Sequence, residues 1–189
     1  MRILITGATG VTGKHIFASL IKTNNEIITF SRNQFIYKSK NFEHRTGDLY
    51  SLNDLKLLLK DIDAVYHIPP NMNKDEIKLS SNLLKYVKKY KIKHFIYHSV
   101  LHPNIKSLSH HWKKMKVEEM IIKSNINYTI LQPSSYMQNI FNDKKNISKK
   151  NVHVLPYSLN SKLSIVDLND VSKVASLIIG KSKHFFSKY

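Results

Sequence analysis

The chain has 189 residues, 42% hydrophobic and 23% charged, which is a globular composition with enough length to bury the core of one domain. It contains no cysteine, which excludes disulfides and thiolate metal ligands, and no apolar run approaches the roughly 20 residues needed to span a bilayer. The formal net charge of +17 would suit a nucleic acid, but the lysines are scattered and no nucleic-acid-binding motif accompanies them, so nucleic-acid binding is the least favoured function.

The first two thirds of the sequence alternate short apolar runs with amphipathic stretches. The apolar runs predict strands at Arg2–Thr6, Ile27–Phe30, Phe42–Arg45, Ile62–Ile68, His94–His98 and Tyr128–Leu131. Helical spacing predicts helices from Gly13 to about Lys22, within Asp48–Lys60, over Asp75–Lys91 and from Ser109 to about Ser124. This alternation predicts a doubly wound α/β domain, in which helices cover both faces of a parallel sheet.

The remaining residues carry weaker signals. They predict a helix around Tyr136–Phe141, strands near Val152–Leu155 and through Leu163–Val166, and a helix from about Leu168 to Ile179. No linker or internal repeat divides the sequence, so we expect a single domain over residues 1–189.

The motif with the clearest function is GATGVTG, which joins the first predicted strand to the first predicted helix. Gly7 allows a sharp turn after the strand, Gly10 lets a pyrophosphate approach the backbone, and Gly13 lets the helix pack close to the sheet. The N–H groups at the helix start would then face the phosphates. A tight structural turn is the alternative, but the strand–turn–helix context favours a dinucleotide site.

The end of the second predicted strand bears on which dinucleotide is bound. An acidic residue there would accept hydrogen bonds from the ribose 2′-hydroxyl of NAD, but the strand ends in Phe30-Ser31-Arg32. The Arg32 guanidinium suits the 2′-phosphate of NADP, and Ser31 can add a donor. The alternative is a solvated arginine in a basic protein. We therefore expect NADP(H) to be preferred over NAD(H).

Several segments, in this order along the chain, resemble the NmrA-like proteins, which are atypical short-chain dehydrogenase/reductases. The segments are GATGVTG from Gly7, GDLYSLNDLKLLLKDIDAVYHIPPN from Gly47, SVLHP from Ser99, SHHWKKMKVEE from Ser109, YTILQPSSYMQN from Tyr128 and SIVDLNDVSKVASLII from Ser164. The resemblance runs from residue 2 to about residue 180 and implies a Rossmann fold that binds NAD(P).

The resemblance also implies where the ligands would lie. The matched phosphate loop contains Gly7, Thr9, Gly10, Val11, Thr12 and Gly13. Asp48 and Leu49 would lie beside the adenine ring, and Pro69 and Pro70 near the nicotinamide ribose. The matched substrate-pocket segment contains Tyr136, Gln138 and Asn139.

The catalytic residues of the related short-chain dehydrogenases are only partly matched. Those enzymes use Tyr-x-x-x-Lys, in which the lysine holds the ribose and the tyrosine exchanges a proton. Here the lysine is Lys114, and His110 replaces the tyrosine. His110 is either a proton donor or a polar helix-cap residue, and Ser99 matches the position of a catalytic serine.

A metal site is not expected. His110 and His111 are adjacent in a predicted helix and point about 100° apart, so they do not converge. His94 and His98 would lie roughly 13 Å apart on a strand at 3.3 Å per residue.

The resemblance further implies a curtailed C-terminal substrate lobe within about residues 134–189, because NmrA-like proteins usually continue past the point that matches Gly180. The favoured function is an NADPH-dependent reductase of a quinone or other small electrophile. The alternative is a redox sensor that binds NADP(H) and regulates a protein partner. The sequence shows no signal-peptide pattern, so we expect a cytoplasmic protein without a membrane partner.

Overall fold

The computed structural model describes residues 1–155 and 157–189. Its main sheet has seven parallel strands in the order β3-β2-β1-β4-β5-β6-β9. These strands are β1 Arg2–Thr6, β2 Glu26–Ser31, β3 Phe42–Thr46, β4 Ala64–His67, β5 His94–His98, β6 Tyr128–Leu131 and β9 Ser187–Lys188. The predicted doubly wound parallel sheet is confirmed.

Helices cover both faces of this sheet. They are α1 Val11–Leu20, α2 Leu52–Leu58, α3 Glu76–Lys89, α4 Ser109–Ile122, α5 Lys144–Lys150 and α6 Leu168–Ile178. The helices α1 and α6 pack on one face, where Ile16 and Ala175 are fully buried. The helices α2, α3 and α4 pack on the other face, where Leu55, Val87 and Ile121 are fully buried. The strands β1, β2, β4, β5 and β6 therefore send side chains into two separate cores, as the apolar runs indicated.

Two helices do not divide strictly into a buried apolar face and an exposed polar face. Ser51 is the N-cap of α2, as its position before an apolar run suggests, and its Oγ accepts a hydrogen bond from the Asp54 N–H at 3.2 Å. Leu52 and Ile77, however, are exposed. In α3 the buried positions include Glu76 and Ser80, so polar residues share the face that packs on the sheet.

The C-terminal region builds a second, two-stranded parallel sheet from β7 (Ser135–Tyr136) and β8 (Ile165–Val166). A 3₁₀ helix over Met137–Asp143 and the helix α5 follow β7.

The predicted strand near Val152–Leu155 is wrong, because the backbone there is irregular. The Asp143 carboxylate accepts hydrogen bonds from the Val154 N–H and the His153 ring, so a side chain occupies backbone groups that a strand would pair. Strand β9 was not predicted. It adds to the edge of the sheet beside β6 and is only two residues long. In the described part of the chain, no helix combines the length and the apolar character that crossing a bilayer requires.

We expect Gly13→Ala to lower the free energy of unfolding by about 1–3 kcal/mol. A Cβ there would overlap the Gly7 carbonyl oxygen and lie 2.6 Å from the Ala8 Cα, and both are backbone atoms that cannot turn aside. This overlap outweighs the gain of about 1 kcal/mol that alanine normally gives inside a helix. Urea unfolding measures the difference.

The matched control is Gly10→Ala, whose Cβ would meet only the Gly7 carbonyl oxygen at an ordinary 3.5 Å. Its loss should stay below about 1 kcal/mol, the cost of alanine at an N-cap. Equal losses in the two variants would show that the approach of α1 to β1 is looser than described.

Candidate functional site

The candidate site lies along the carboxyl ends of the parallel strands, the edge where ligands bind in open α/β sheets. The turn after β1 brings Gly7 against the end of β4. Gly7 has a φ of +71°, and a Cβ there would lie 2.6 Å from the Ile68 carbonyl oxygen. The residues that follow, Pro69 and Pro70, therefore leave the sheet directly beside the phosphate loop, with Pro69 buried and Pro70 exposed.

The phosphate loop leaves the start of α1 open. Gly10 is the N-cap of α1 and offers no side-chain acceptor to the first-turn N–H groups, which also have no partner within a helix. Thr9, Gly10 and Val11 are exposed, and Thr12 is half-buried. An anion at this position would meet free N–H donors and the positive end of the helix dipole. The residues present therefore fit a pyrophosphate.

The ends of β2 and β3 position the residues that were predicted to contact the adenosine half of a dinucleotide. Ser31 is half-buried and its Oγ donates to the Asn33 carbonyl at 2.6 Å, while Arg32 is exposed. Asp48 is engaged in its own turn, since its carboxylate accepts the Tyr50 N–H at 3.0 Å. Leu49 packs against the core beneath. Asp48 and Leu49 thus fix the backbone after β3, and Arg32 is an exposed cation at this end of the edge.

Lys114 is held over the end of β5 by a buried acid. Its Nζ lies 3.0 Å from Glu76 Oε1 and donates to the His98 carbonyl oxygen at 3.2 Å. The Tyr97 hydroxyl donates to the same carboxylate oxygen at 2.6 Å, and its ring lies 5.3 Å from the ammonium. Burial lowers the pKa of Lys114, and the charge of Glu76 opposes this shift. An ammonium has three donors, so one is left for a ligand.

Ser99 is bonded away from the open edge. Its hydroxyl donates to Glu118, which is fully buried and also accepts hydrogen bonds from Gln132 and Lys188. Glu118 is therefore a buried acid on α4 and not part of its solvent-exposed face. It ties α4 to the ends of β5 and β6.

His110 lies in the first turn of α4, on the same helix as Lys114. The N-cap of this helix is Leu108, so His110 does not cap it. Its ring packs edge-on against that of His111, with centroids 4.5 Å apart, and burial lowers its pKa. It is half-buried, and the negative charge of Glu76 partly opposes the lowering of its pKa.

The predicted substrate residues divide into two groups. Tyr136 lies over the end of β5, where its hydroxyl is 2.6 Å from His98 Nε2. Asn139 is exposed and donates weakly to Ser135 Oγ at 3.4 Å. Gln138, in contrast, holds the start of α6, because it donates to Asp167 at 2.7 Å and accepts the Leu168 N–H at 3.1 Å. We therefore assign Gln138 to the support of the second sheet.

Sequence reasoning missed Glu76, His98 and Tyr66. Glu76 is 1% exposed and lies on the α3 face that also buries Leu79 and Leu83. A charged residue on an otherwise apolar stripe was the available signal. His98 and Tyr66 sit inside apolar strand runs, where a polar residue needs a buried partner.

Three buried histidines lie in the sheet, His67 and His98 next to this edge and His94 at the amino end of β5. His67 bonds to Thr6 Oγ1 at 2.8 Å and Ser80 Oγ at 3.2 Å, and burial lowers its pKa to about 3. Burial likewise lowers the pKa of His98 to about 3 and that of His94 to about 4. All three rings are neutral at physiological pH.

Comparison with known proteins gives one family match over the whole chain: the NmrA-like family model aligns with residues 1–189. Among named relatives, the photosystem II assembly factor Ycf39 of Synechocystis sp. is 24% identical, over 93% of this chain and 57% of its own. The NAD(P)H azoreductase of Xenophilus azovorans is 23% identical, over 96% of this chain and 64% of its own. The chain thus spans about 57–64% of the length of these relatives.

Solved structures show the same fold at low identity. The NADPH-dependent quinone oxidoreductase QOR2 of Escherichia coli, complexed with NADPH, superposes with a TM-score of 0.84 at 23% identity, over 99% of this chain and 68% of that one. The triphenylmethane reductase of Citrobacter sp., complexed with NADP(H), gives 0.84 at 20% identity, over 100% and 69%.

The buried histidines predict a loss of stability in mild acid. In the unfolded chain they take up protons near pH 6.5, whereas the folded rings resist protonation until about pH 3–4. The free energy of unfolding therefore has its full value above pH 6.5. It decreases as the pH falls below 6.5, by up to about 1.4 kcal/mol per histidine and pH unit. Urea unfolding at pH 7 and pH 5.5 measures this decline.

A matched pair of variants isolates the effect. His67→Gln should reduce the difference between the two pH values, because glutamine keeps a donor and an acceptor without titrating. His102→Gln, at an exposed position, should leave it unchanged. The same pH dependence in both variants would contradict the assignment to buried rings.

Proposed function

The chain belongs to the NmrA-like family, and we propose that it binds NADP(H) and acts as an NADPH-dependent reductase of a quinone or another small electrophile. The observation that carries this proposal is the open start of α1, where exposed N–H groups and a Cβ-free Gly10 face the carboxyl edge of the sheet. That geometry matches the pyrophosphate of a dinucleotide. The similarity in fold to two reductases complexed with NADP(H) supports it.

The rest of the edge supports the two halves of the cofactor. Arg32, with Ser31 beside it, would receive the 2′-phosphate, and the Asp48–Leu49 turn would flank the adenine. Lys114 has one N–H donor left after its contacts with Glu76 and His98, and we assign it to the nicotinamide ribose. Pro69 and Pro70 would border that ribose. When bound, NADPH supplies a hydride.

Glu76 is the residue that makes this use of Lys114 possible. A lysine in this position would tend to lose its proton on burial. The buried carboxylate 3.0 Å away favours the charged form and fixes where the ammonium lies. Glu76 in turn accepts the Tyr97 hydroxyl and starts α3, where the helix dipole favours an acid.

A second function is favoured by the similarity to Ycf39, which is named for assembly and not for a reaction. In this alternative the chain binds NADP(H) without turnover and changes its affinity for a protein partner. The surface for such a partner would be the segment over the second sheet, where Phe141, Val154 and Leu159 are exposed.

Binding measurements on two variants separate specific binding of NADPH from general attraction by the positive surface charge. Purified protein should bind NADPH saturably, and Gly10→Ala should weaken binding at least tenfold, or about 1.4 kcal/mol, because its Cβ would face the pyrophosphate. The control Lys149→Gln, which removes one positive charge from α5, should bind normally. Absence of binding by the unaltered protein at millimolar NADPH would remove the basis of the proposal.

Turnover then separates the two functions. NADPH oxidation with a panel of quinones and aldehydes indicates a reductase. Saturable binding without oxidation of NADPH by any member of the panel favours the sensor.

The cofactor preference depends on Arg32. A charge-assisted hydrogen bond is worth about 1.5–3 kcal/mol, so Arg32→Glu should reduce the NADPH/NADH affinity ratio roughly tenfold to a hundredfold. The control Lys38→Glu, in the same exposed segment, makes the same change of charge and should alter the ratio far less. Isothermal titration with both cofactors gives the ratio, and an unchanged ratio in Arg32→Glu would refute the preference.

A further inference from the structure

Three rings form a hydrogen-bonded chain from the core to the open edge. The hydroxyl of Tyr66 lies 2.9 Å from His98 Nδ1, and His98 Nε2 lies 2.6 Å from the Tyr136 hydroxyl. Tyr66 is fully buried and His98 is 4% exposed, whereas Tyr136 is half-buried. Only the last ring of the chain can therefore reach a ligand.

The direction of these hydrogen bonds follows from counting protons. A neutral imidazole has one N–H and one acceptor nitrogen, so it donates to one tyrosine and accepts from the other. The buried Tyr66 hydroxyl has His98 Nδ1 as its partner, and leaving its proton without an acceptor would cost about 1–3 kcal/mol. Tyr66 must therefore donate to Nδ1. His98 then carries its proton on Nε2 and donates it to the Tyr136 oxygen.

This arrangement frees the proton of Tyr136. Its oxygen already accepts from His98, and the Thr12 hydroxyl acts to lower the pKa of Tyr136, against the larger effect of burial. Its own O–H is thus available to a third group, on a ring that lies against His98 at the end of β5. Lys114 reaches the same strand end, because it donates to the carbonyl oxygen of His98.

We propose that Tyr136 is the catalytic acid of the reductase, that His98 is a positioning residue that donates to its oxygen, and that Tyr66 fixes the tautomer of His98. This inference rests on the reductase function proposed above. It places the phenol on the β7 segment, opposite the α4 helix that carries Lys114, so the proton enters from a different side of the site than in the Tyr-x-x-x-Lys arrangement.

The chemistry balances with a quinone as substrate. Transfer of a hydride to the quinone gives a hydroquinone monoanion. The Tyr136 O–H bond then breaks, and a new O–H bond forms on the anionic oxygen. The phenolate left behind accepts a hydrogen bond from His98 Nε2–H, and water returns the proton. His98 stays neutral throughout, because burial holds its pKa near 3.

The other candidate donors are less suited to this step. Ser99 is 3% exposed and its proton is directed at Glu118, inside the core. His110 has a pKa lowered by burial and is packed against His111, on the helix surface. Burial raises the pKa of Tyr136, so the phenol carries its proton at neutral pH.

The test compares two acceptors that differ in their need for a proton. A benzoquinone takes a hydride and a proton, whereas a triarylmethyl cation takes a hydride alone and becomes a neutral product. Tyr136→Phe should reduce kcat for the quinone at least tenfold more than kcat for the cation, while its affinity for NADPH stays within about twofold. The matched control is Tyr37→Phe, at an exposed tyrosine whose ring packs edge-on against Phe17. Its kcat should equal that of the unaltered protein with both acceptors.

Chemical rescue gives a second readout that needs only the quinone. Imidazolium in the buffer should restore the quinone rate of Tyr136→Phe in proportion to its concentration, since the missing proton then comes from solution. Equal losses with both acceptors, or no rescue, would overturn the assignment. If the unaltered protein oxidises NADPH with neither acceptor, the proposed reductase function is refuted, and with it the role of Tyr136 as the catalytic acid.

The positioning role is tested without turnover. Nitrogen-15 NMR of histidine-labelled protein should show the His98 proton on Nε2, and Tyr66→Phe should move the population towards the Nδ1–H form. Tyr66→Phe should also lower the ratio of quinone to cation rates, which a merely structural role would not change. A proton on Nδ1 in the unaltered protein would refute the hydrogen-bond direction, whatever the activity.

Discussion

The close approach of helix α1 to strand β1 is the constraint on which the rest of the site depends. Gly13 has no room for a Cβ against the Gly7 carbonyl and Ala8, so the helix begins within contact distance of the strand end. Gly7 in turn meets the Ile68 carbonyl at the end of β4. These two contacts fix where the first-turn N–H groups of α1 lie relative to the neighbouring strand ends. A binding edge with free donors follows from backbone packing alone, before any charged side chain is considered.

Polar residues at the strand ends are joined in groups that hold the edge together. Thr6 bonds to His67, the Tyr97 hydroxyl and Lys114 share Glu76, and Ser99 reaches Glu118. The interior of a parallel sheet covered on both faces is normally apolar, so each of these groups requires a partner. The pairing explains how the sheet tolerates buried histidines and acids. It also leaves few orientations open to the side chains that reach the edge, which is the condition for a precise site.

The basic surface is a separate property from the site. Lysines dominate the net charge of +17, and the exposed ion pairs, such as Lys173 with Asp170, are of the kind that contribute little to stability. Arg2 and Arg45 are the exception, since both bind Glu43 and Asp61 at the amino end of the sheet. That network lies at the opposite end from the phosphate loop. A positive field over the whole surface would assist a phosphate-bearing ligand, whereas the donors of α1 would give it a defined position.

The sequence by itself determined the architecture and the start of the binding edge. Apolar runs separated by helical periodicity sufficed for the doubly wound sheet, and GATGVTG predicted the tight turn that opens α1, because both signals are local in the chain. The sequence failed where structure was set by other segments: Val152–Leu155 is irregular because Asp143 binds its backbone, and β9 is too short to show a period.

Only the tertiary structure decided what surrounds Lys114 and Tyr136. Glu76 lies 38 residues from Lys114, and His98 lies 38 residues from Tyr136. A periodic pattern of apolar residues carries no information about a contact between residues so far apart in the sequence. The sequence predicted a lysine and a tyrosine near the ligands, but the position of the Lys114 ammonium and the hydrogen bond at the Tyr136 hydroxyl depend on buried partners that the fold brings together.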